Sequence, residues 1–298
     1  MSAAARSTSV RTPSGLELAA WERGDPEAPP IVLMHGLTMT SLQAFAATSP
    51  ILAGGFRAVG YDARGHGASD PAGGPEGYDY EALLEDLLAV MDSARVERAV
   101  VAGISMGAHT ALRLCLEQPD RVVGAVAVSP AYDPRDHPGK ENLAEAIALA
   151  DGVRERGADG FAAATSHPAG LPRDAATLST AEVLTRRSFE RHAHPAAIAD
   201  ALECSLRCRP FGSFEELAAI DIPTLVVATH DDLDRRHPLA LAKTYAEALD
   251  GCEFVVGEEG RPPLSWGGRR LTALIGEFAT RLQSAFDSPS GAGQRSGR

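Results

Sequence analysis

The stretch Val96-Glu97-Arg98-Ala99-Val100-Val101-Ala102-Gly103-Ile104-Ser105-Met106-Gly107-Ala108-His109-Thr110-Ala111-Leu112 decides the fold. Arg98 to Ala102 is short, apolar and β-branched, and Gly103 bounds it, which is the pattern of a buried strand. Ala108 to Glu117 is rich in Ala and Leu and reads as a helix. Between them lies Gly103-Ile104-Ser105-Met106-Gly107, a G-x-S-x-G turn. A serine on a sharp strand-to-helix turn needs neighbours without a Cβ, so that the chain reverses without a clash. The turn lifts the Ser105 hydroxyl above the strand ends and leaves it at a helix N-terminus. There the free N–H of Met106 and the helix dipole favour developing negative charge. Such a place suits attack on a carbonyl. The bland alternative is a glycine-rich turn with a bystander serine, and the flanking strand and helix speak against it.

Outward from this unit, strands and helices alternate. Val10–Arg11 and Leu16–Trp21 flank the turn signal Thr12-Pro13-Ser14-Gly15 and predict an edge hairpin, with Met1 to Thr8 frayed. Ile31–Met34 and Arg57–Tyr61 are predicted strands, with a helix over Leu42–Leu52 between them. Asp79–Ala94 carries Leu83, Leu84, Leu87, Leu88 and Met91 on one face of an amphipathic helix. Val122–Val128, Pro223–Ala228 and Glu253–Val256 complete the predicted strands, and Leu239–Leu249 and Gly268–Phe286 the core helices. Between Ala131 and Ile220 only helical stretches occur: Glu141–Arg156, Thr180–Arg187, Pro195–Leu206 and Phe214–Ala219. The expected architecture is α/β, a mostly parallel sheet covered on both faces. Residues 1–130 and 221–286 form its core, 131–220 a helical lid, and 287–298 a Ser/Gly-rich disordered tail. In such sheets ligands bind beyond the carboxyl ends of the strands. The motifs at His35, Asp62, Ser105 and Asp232 all follow strand ends and should meet in one crevice.

The strand–G-x-S-x-G–helix unit, His35-Gly36 after an earlier strand, and Asp62-Ala63-Arg64-Gly65-His66-Gly67-Ala68-Ser69 together resemble the α/β-hydrolase fold superfamily. The likeness runs from about residue 15 to 285 and implies an eight-stranded sheet with a lid between the sixth and seventh strands. It implies Ser105 as nucleophile and the backbone N–H groups of Leu37 and Met106 as an oxyanion hole. It places the acid after Thr224–Ala228, where Thr229-His230-Asp231-Asp232-Leu233-Asp234 selects Asp232, with Asp231 and Asp234 as rivals and Asp133 as a further option. His35, His66, Asp62, Arg64 and Ser69 read as loop braces. Gly36 is expected to line the substrate pocket, and His109, one turn into the helix after Ser105, to pack or to line the pocket floor.

One position departs from the family. Its catalytic histidine follows the last strand, and there this chain has Gly257-Glu258-Glu259-Gly260-Arg261-Pro262, with Arg261 in the histidine's place. No histidine follows His237. A serine hydroxyl needs a base near neutral pKa, and losing the histidine of a serine protease costs about 10⁶ in kcat. Arginine cannot supply that base. His237, just before Pro238 on the rim of the crevice, is the substitute that spacing offers; a solvent-exposed loop histidine is its bland reading. His192, His194 and His109 are further candidates. Alternatively, Arg261 pairs with Asp232 in a degenerate site that binds a ligand without turnover, or it clamps a substrate carboxylate.

Bulk properties narrow the partners. The 298 residues carry a formal net charge of −12, which disfavours nucleic acid and anionic membranes. No apolar run reaches the roughly 18 residues of a membrane span, and residues 1–20 lack a signal-like apolar core. Cys115, Cys204, Cys208 and Cys252 show no paired C-x-x-C spacing, and Cys204 and Cys208, one helical turn apart, fit core packing. A reduced cytoplasm is the expected home. No cofactor or metal constellation is visible. The elbow and the resemblance imply an enzyme that cleaves a small ester, lactone or similar acyl substrate through Ser105, or else a non-hydrolytic enzyme in which Arg261 holds an anionic substrate.

Overall fold

A computed structural model describes residues 5–136, 140–165, 187, 189–230, 237–259 and 268–286. Eight strands form one sheet in the order β1-β2-β4-β3-β5-β6-β7-β8. They are β1 (Arg6–Arg11), β2 (Glu17–Arg23), β3 (Pro30–Met34), β4 (Arg57–Tyr61), β5 (Ala99–Ile104), β6 (Val122–Val128), β7 (Thr224–Ala228) and β8 (Glu253–Val256). β1 pairs antiparallel with β2, and β2 antiparallel with β4; every pairing from β4 to β8 is parallel. The mostly parallel eight-stranded sheet expected above is therefore present. The central strands β4, β5, β6 and β7 are buried along their whole length. Their continuous apolar character follows from having both faces covered.

The α-helices among the described residues are α1 (Ser41–Ala44), α2 (Ser49–Ala53), α3 (Tyr80–Ser93), α4 (Met106–Glu117), α5 (Lys140–Arg156), α6 (Ala158–Thr165), α7 (Pro195–Ser205), α8 (Phe214–Leu217), α9 (Leu239–Ala248), α10 (Arg269–Arg281) and α11 (Gln283–Phe286). One core lies between the sheet and α3, α4 and α9, and includes Leu83, Leu87, Met91, Leu112 and Tyr245. The other packs Ile51, Phe56, Leu271, Ile275 and Phe278 against the opposite face. The Asp79 side chain caps α3 by accepting the Ala82 N–H at 2.8 Å, satisfying one of the orphan donors of a helix start.

Between β6 and β7 the chain forms a helical insert with its own small core of Leu149, Val153, Phe189, Ile198 and Leu202, against which Leu37 packs. Predicted helix 180–187 lies almost wholly outside the described residues, as does the expected tail.

Three expectations change. Residues 6–8 are not frayed: β1 begins at Arg6 and pairs Arg6 with Glu22, Ser7 with Trp21 and Thr8 with Ala20. Its exposed polar residues hide a strand that only pairing defines. The helix expected over 42–52 is broken into α1 and α2, because Thr40 caps a first turn in a box with Gln43 and Pro50 sits in the first turn of the second helix. Cys204 and Cys208 are bonded in a disulfide. Their Cα atoms lie 5.7 Å apart, a separation that allows both one-turn packing and a bridge. Among the described residues no helix is long and apolar enough to cross a membrane.

Candidate active site

The elbow forms between β5 and α4. Ser105 adopts φ 49 and ψ −106, a conformation that costs a non-glycine residue of order 1–3 kcal/mol and persists only where its surroundings enforce it. The enforcement is visible on both sides. The Ser105 N–H donates to Val128 O at 2.8 Å, and its carbonyl accepts the His109 N–H at 3.0 Å. A Cβ on Gly103 would lie 2.1 Å from the Gly107 carbonyl carbon, and one on Gly107 would lie 2.4 Å from Met34 O. Both glycines are therefore required by close backbone approach, as the G-x-S-x-G reading anticipates. The turn projects Ser105 beyond the carboxyl ends of the parallel strands.

His237 completes the pair. Its Nε2 lies 2.9 Å from Ser105 Oγ, across a sequence separation of 132 residues. The residue is half-buried and stands immediately before Pro238 and α9, so the helix start fixes the backbone that carries the ring. The alternatives named from the sequence are placed otherwise. His109 is buried, and its Nε2 accepts the N–H groups of Ala131 and Tyr132 at 3.0 and 3.1 Å. Its Nδ1 therefore carries the proton and donates to Tyr80 Oη at 2.9 Å. Burial, with His237 adding a smaller like-charge effect, lowers its pKa to about 3. With both nitrogens committed, His109 holds the backbone after β6 and has no ring nitrogen free for a hydrogen bond to a substrate. His192 likewise bonds through both nitrogens, to Gly67 N and Thr38 O. His194 flanks the start of α7. Asp133 is held by Arg135 in a bidentate pair at 2.8 and 2.6 Å, and that contact lowers its pKa. Asp231, Asp232, Asp234 and Arg261 lie outside the described residues.

The expected braces are in place. His35 Nε2 accepts the Ala63 N–H at 2.9 Å, and its Nδ1 donates to Gly36 O at 2.8 Å, tying the loops after β3 and β4 together. The Asp62 carboxylate accepts the Ser41 N–H and hydroxyl at 2.8 and 2.7 Å. Ser69 Oγ donates to Asp62 O at 2.6 Å and accepts the Ala19 N–H. Gly36 approaches the elbow closely enough that a Cβ would lie 3.3 Å from Ile104 O, which brings the Gly36-Leu37 segment beside the strand that delivers Ser105. Arg64 spans to Asp86 on α3 through two bonds of 2.7 Å in a buried pair. The sequence reading missed Asp86, because a carboxylate within an amphipathic helix ordinarily faces water; its place next to Leu87 on the apolar face was the available signal. Among the described residues no group of three or more His, Cys, Asp or Glu could hold a metal ion.

Comparison with known proteins agrees with this architecture. The family model for the alpha/beta hydrolase fold matches residues 29–195. The chain is 27% identical over 267 residues to the AB hydrolase superfamily protein YisY of Bacillus subtilis, covering 84% of this chain and 91% of that protein. It is 30% identical over 219 residues to 3-oxoadipate enol-lactonase 1 of Acinetobacter baylyi, covering 73% and 77%. Among solved structures, a thermophilic esterase from Thermogutta terrifontis superposes with a TM-score of 0.74 at 22% identity, covering 93% of this chain and 99% of that one. With the elbow, the sheet order and these matches in agreement, the chain belongs to the α/β hydrolase fold family.

Proposed function

We propose that this protein hydrolyses a small ester or lactone through Ser105, with His237 as the general base. The carrying observation is the 2.9 Å contact between His237 Nε2 and Ser105 Oγ at a strained elbow. Hydrogen-bond reach of the nucleophile is the geometric requirement for a base. In the proposed sequence, His237 takes the Ser105 proton as Oγ attacks the carbonyl carbon. The resulting oxyanion is held by the N–H groups of Leu37 and Met106, each donor being worth about 10²–10³ in rate. His237 then gives the proton to the departing alkoxide oxygen, leaving an acyl-serine. Water, deprotonated by the same ring, releases the acid and restores the hydroxyl. Asp232 is assigned as the carboxylate that orients His237. The helical insert acts as the lid, and Arg261 binds an anionic end of the substrate. Esterase and enol-lactonase are the activities named for two of the relatives above, and both reactions need the same nucleophile, base and oxyanion site.

The test is hydrolysis of short p-nitrophenyl esters and small lactones by wild type and by Ser105→Ala, His237→Ala and Arg261→His. Ser105→Ala and His237→Ala should each lose at least about 10³-fold in kcat, and Arg261→His should not raise it. Full activity in Ser105→Ala removes the hydrolase reading. Full activity in His237→Ala removes the base alone. A large gain in Arg261→His would favour a decayed site that binds its ligand without turnover.

A further inference from the structure

The segment that carries Leu37 is strained. The Met39 N–H donates to Gly36 O at 3.1 Å, closing a four-residue turn over Gly36-Leu37-Thr38-Met39. Its third residue, Thr38, has φ 68, and a positive φ at that position is the type II arrangement in which glycine is the ordinary occupant. A β-branched residue there is a genuine outlier, disfavoured by roughly 1–2 kcal/mol. Conformations of this kind last only when neighbouring structure over-determines them.

One such neighbour comes from the helical insert. The His192 ring is 5% exposed and bridges two core loops. Its Nδ1 accepts the Gly67 N–H at 2.8 Å. Because a backbone N–H can only donate, Nδ1 is unprotonated, and the proton of the neutral ring sits on Nε2, which donates to Thr38 O at 3.3 Å. The next residue repeats the attachment, Ala193 N–H donating to Gly67 O at 2.7 Å. Phe189 meets the imidazole edge-on at 5.9 Å, and Leu37 packs on the same cluster. The ring is thus a rigid strut from the loop after β4 to the turn after β3, two segments that His35 and the Asp62–Ser41 bonds also tie together.

We propose that His192 is a positioning residue for catalysis: it locks the Gly36–Met39 turn so that the Leu37 N–H meets the oxyanion formed at Ser105. The proposal rests on the serine-hydrolase reading above. Its consequence is that the oxyanion hole is complete only while the insert is docked on the core, so the segment that covers the site also assembles it.

Three variants separate this role from plain packing. His192→Asn keeps an acceptor for Gly67 N–H but cannot reach Thr38 O. His192→Gln places an amide N–H toward Thr38 O. His192→Phe keeps the ring volume and loses both bonds. On a p-nitrophenyl ester, the Phe and Asn variants should lose about 10–100-fold in kcat with KM within about threefold, because an oxyanion donor acts in the transition state. The Gln variant should stay within about fivefold of wild type. Adding Thr38→Gly to His192→Phe, so that φ 68 carries no steric cost, should recover most of the lost kcat without restoring the imidazole. Equal drops in melting temperature for Asn, Gln and Phe, with kcat per folded molecule unchanged, would overturn the proposal. So would a double variant no faster than His192→Phe. If wild type itself shows no Ser105-dependent turnover, the failure lies in the serine-hydrolase reading and takes this inference with it.

Discussion

Gly103→Ala probes the elbow at the point where steric demand is greatest. The added Cβ would lie 2.1 Å from both the carbonyl carbon and oxygen of Gly107, and 2.5 Å from Ala108 N. Carbon–carbon contacts are comfortable at about 3.5–4.0 Å, so the first turn of α4 must retreat from β5 by more than about 1 Å. The opposing atoms are backbone and cannot rotate away. Retreat of α4 is resisted by the Ser105 N–H bond to Val128 O at the elbow. Overpacking by flexible side chains costs about 1–3 kcal/mol, and this clash belongs at or above the top of that range. A loss of about 3 kcal/mol lowers the melting temperature of a chain of 298 residues by roughly 5 °C. Gly73→Ala is the internal control: nothing lies within 4 Å of its Cβ position, so it should be neutral or stabilise by up to about 1 kcal/mol. Thermal and urea unfolding followed by circular dichroism, run on both variants, measures the difference directly. A Gly103→Ala protein that melts within about 2 °C of Gly73→Ala would refute the argument that backbone contact shapes the elbow.

Removing Asp86 strands the Arg64 guanidinium, whose partner carboxylate is fully buried, so Asp86→Ala should cost about 3–5 kcal/mol in urea unfolding, while Arg64→Met with Asp86→Leu should cost much less; equal losses would contradict this. Burial lowers the pKa of His109 to about 3 and of His192 to about 4, from 6.5. Both therefore fold as neutral rings and charge only on unfolding, so stability is full above pH 6.5. It falls toward pH 4 by about 1.4 kcal/mol per pH unit for each ring. Urea midpoints at pH 7, 6 and 5 check this, and a flat profile would count against neutral buried imidazoles. In guanidinium, a thiol reagent should titrate Cys115 and Cys252 alone before reduction and all four cysteines after it; four reactive thiols without reductant would refute the Cys204–Cys208 bridge.

How much of this was legible depended on range. The elbow could be read because its determinants are contiguous: a buried strand, two glycines that the backbone cannot replace, and a helix. The parallel order followed from alternation of apolar runs with amphipathic helices. His237 could be named as one candidate because it precedes a helix at the crevice rim and no histidine lies further along the chain. What escaped were contacts between distant residues. The clasp of His192 on Gly67 spans 125 positions, and the pairing of Arg64 with Asp86 depends on which face α3 buries. Residues 6–8 carry no apolar alternation, so only their pairing with β2 reveals the strand. The Cys204–Cys208 spacing served packing and bridging equally well, and local sequence holds no information to separate them.

The central claim is that Ser105 is a nucleophile activated by His237. The most direct measurement is covalent: react the protein with a fluorophosphonate, locate the adduct by peptide mass spectrometry, and compare the labelling rate with that of His237→Ala. The account predicts one phosphonyl group on Ser105, no adduct in Ser105→Ala, and labelling slowed by at least about 10²-fold in His237→Ala. Labelling elsewhere, no labelling of Ser105, or a rate indifferent to His237 would contradict it.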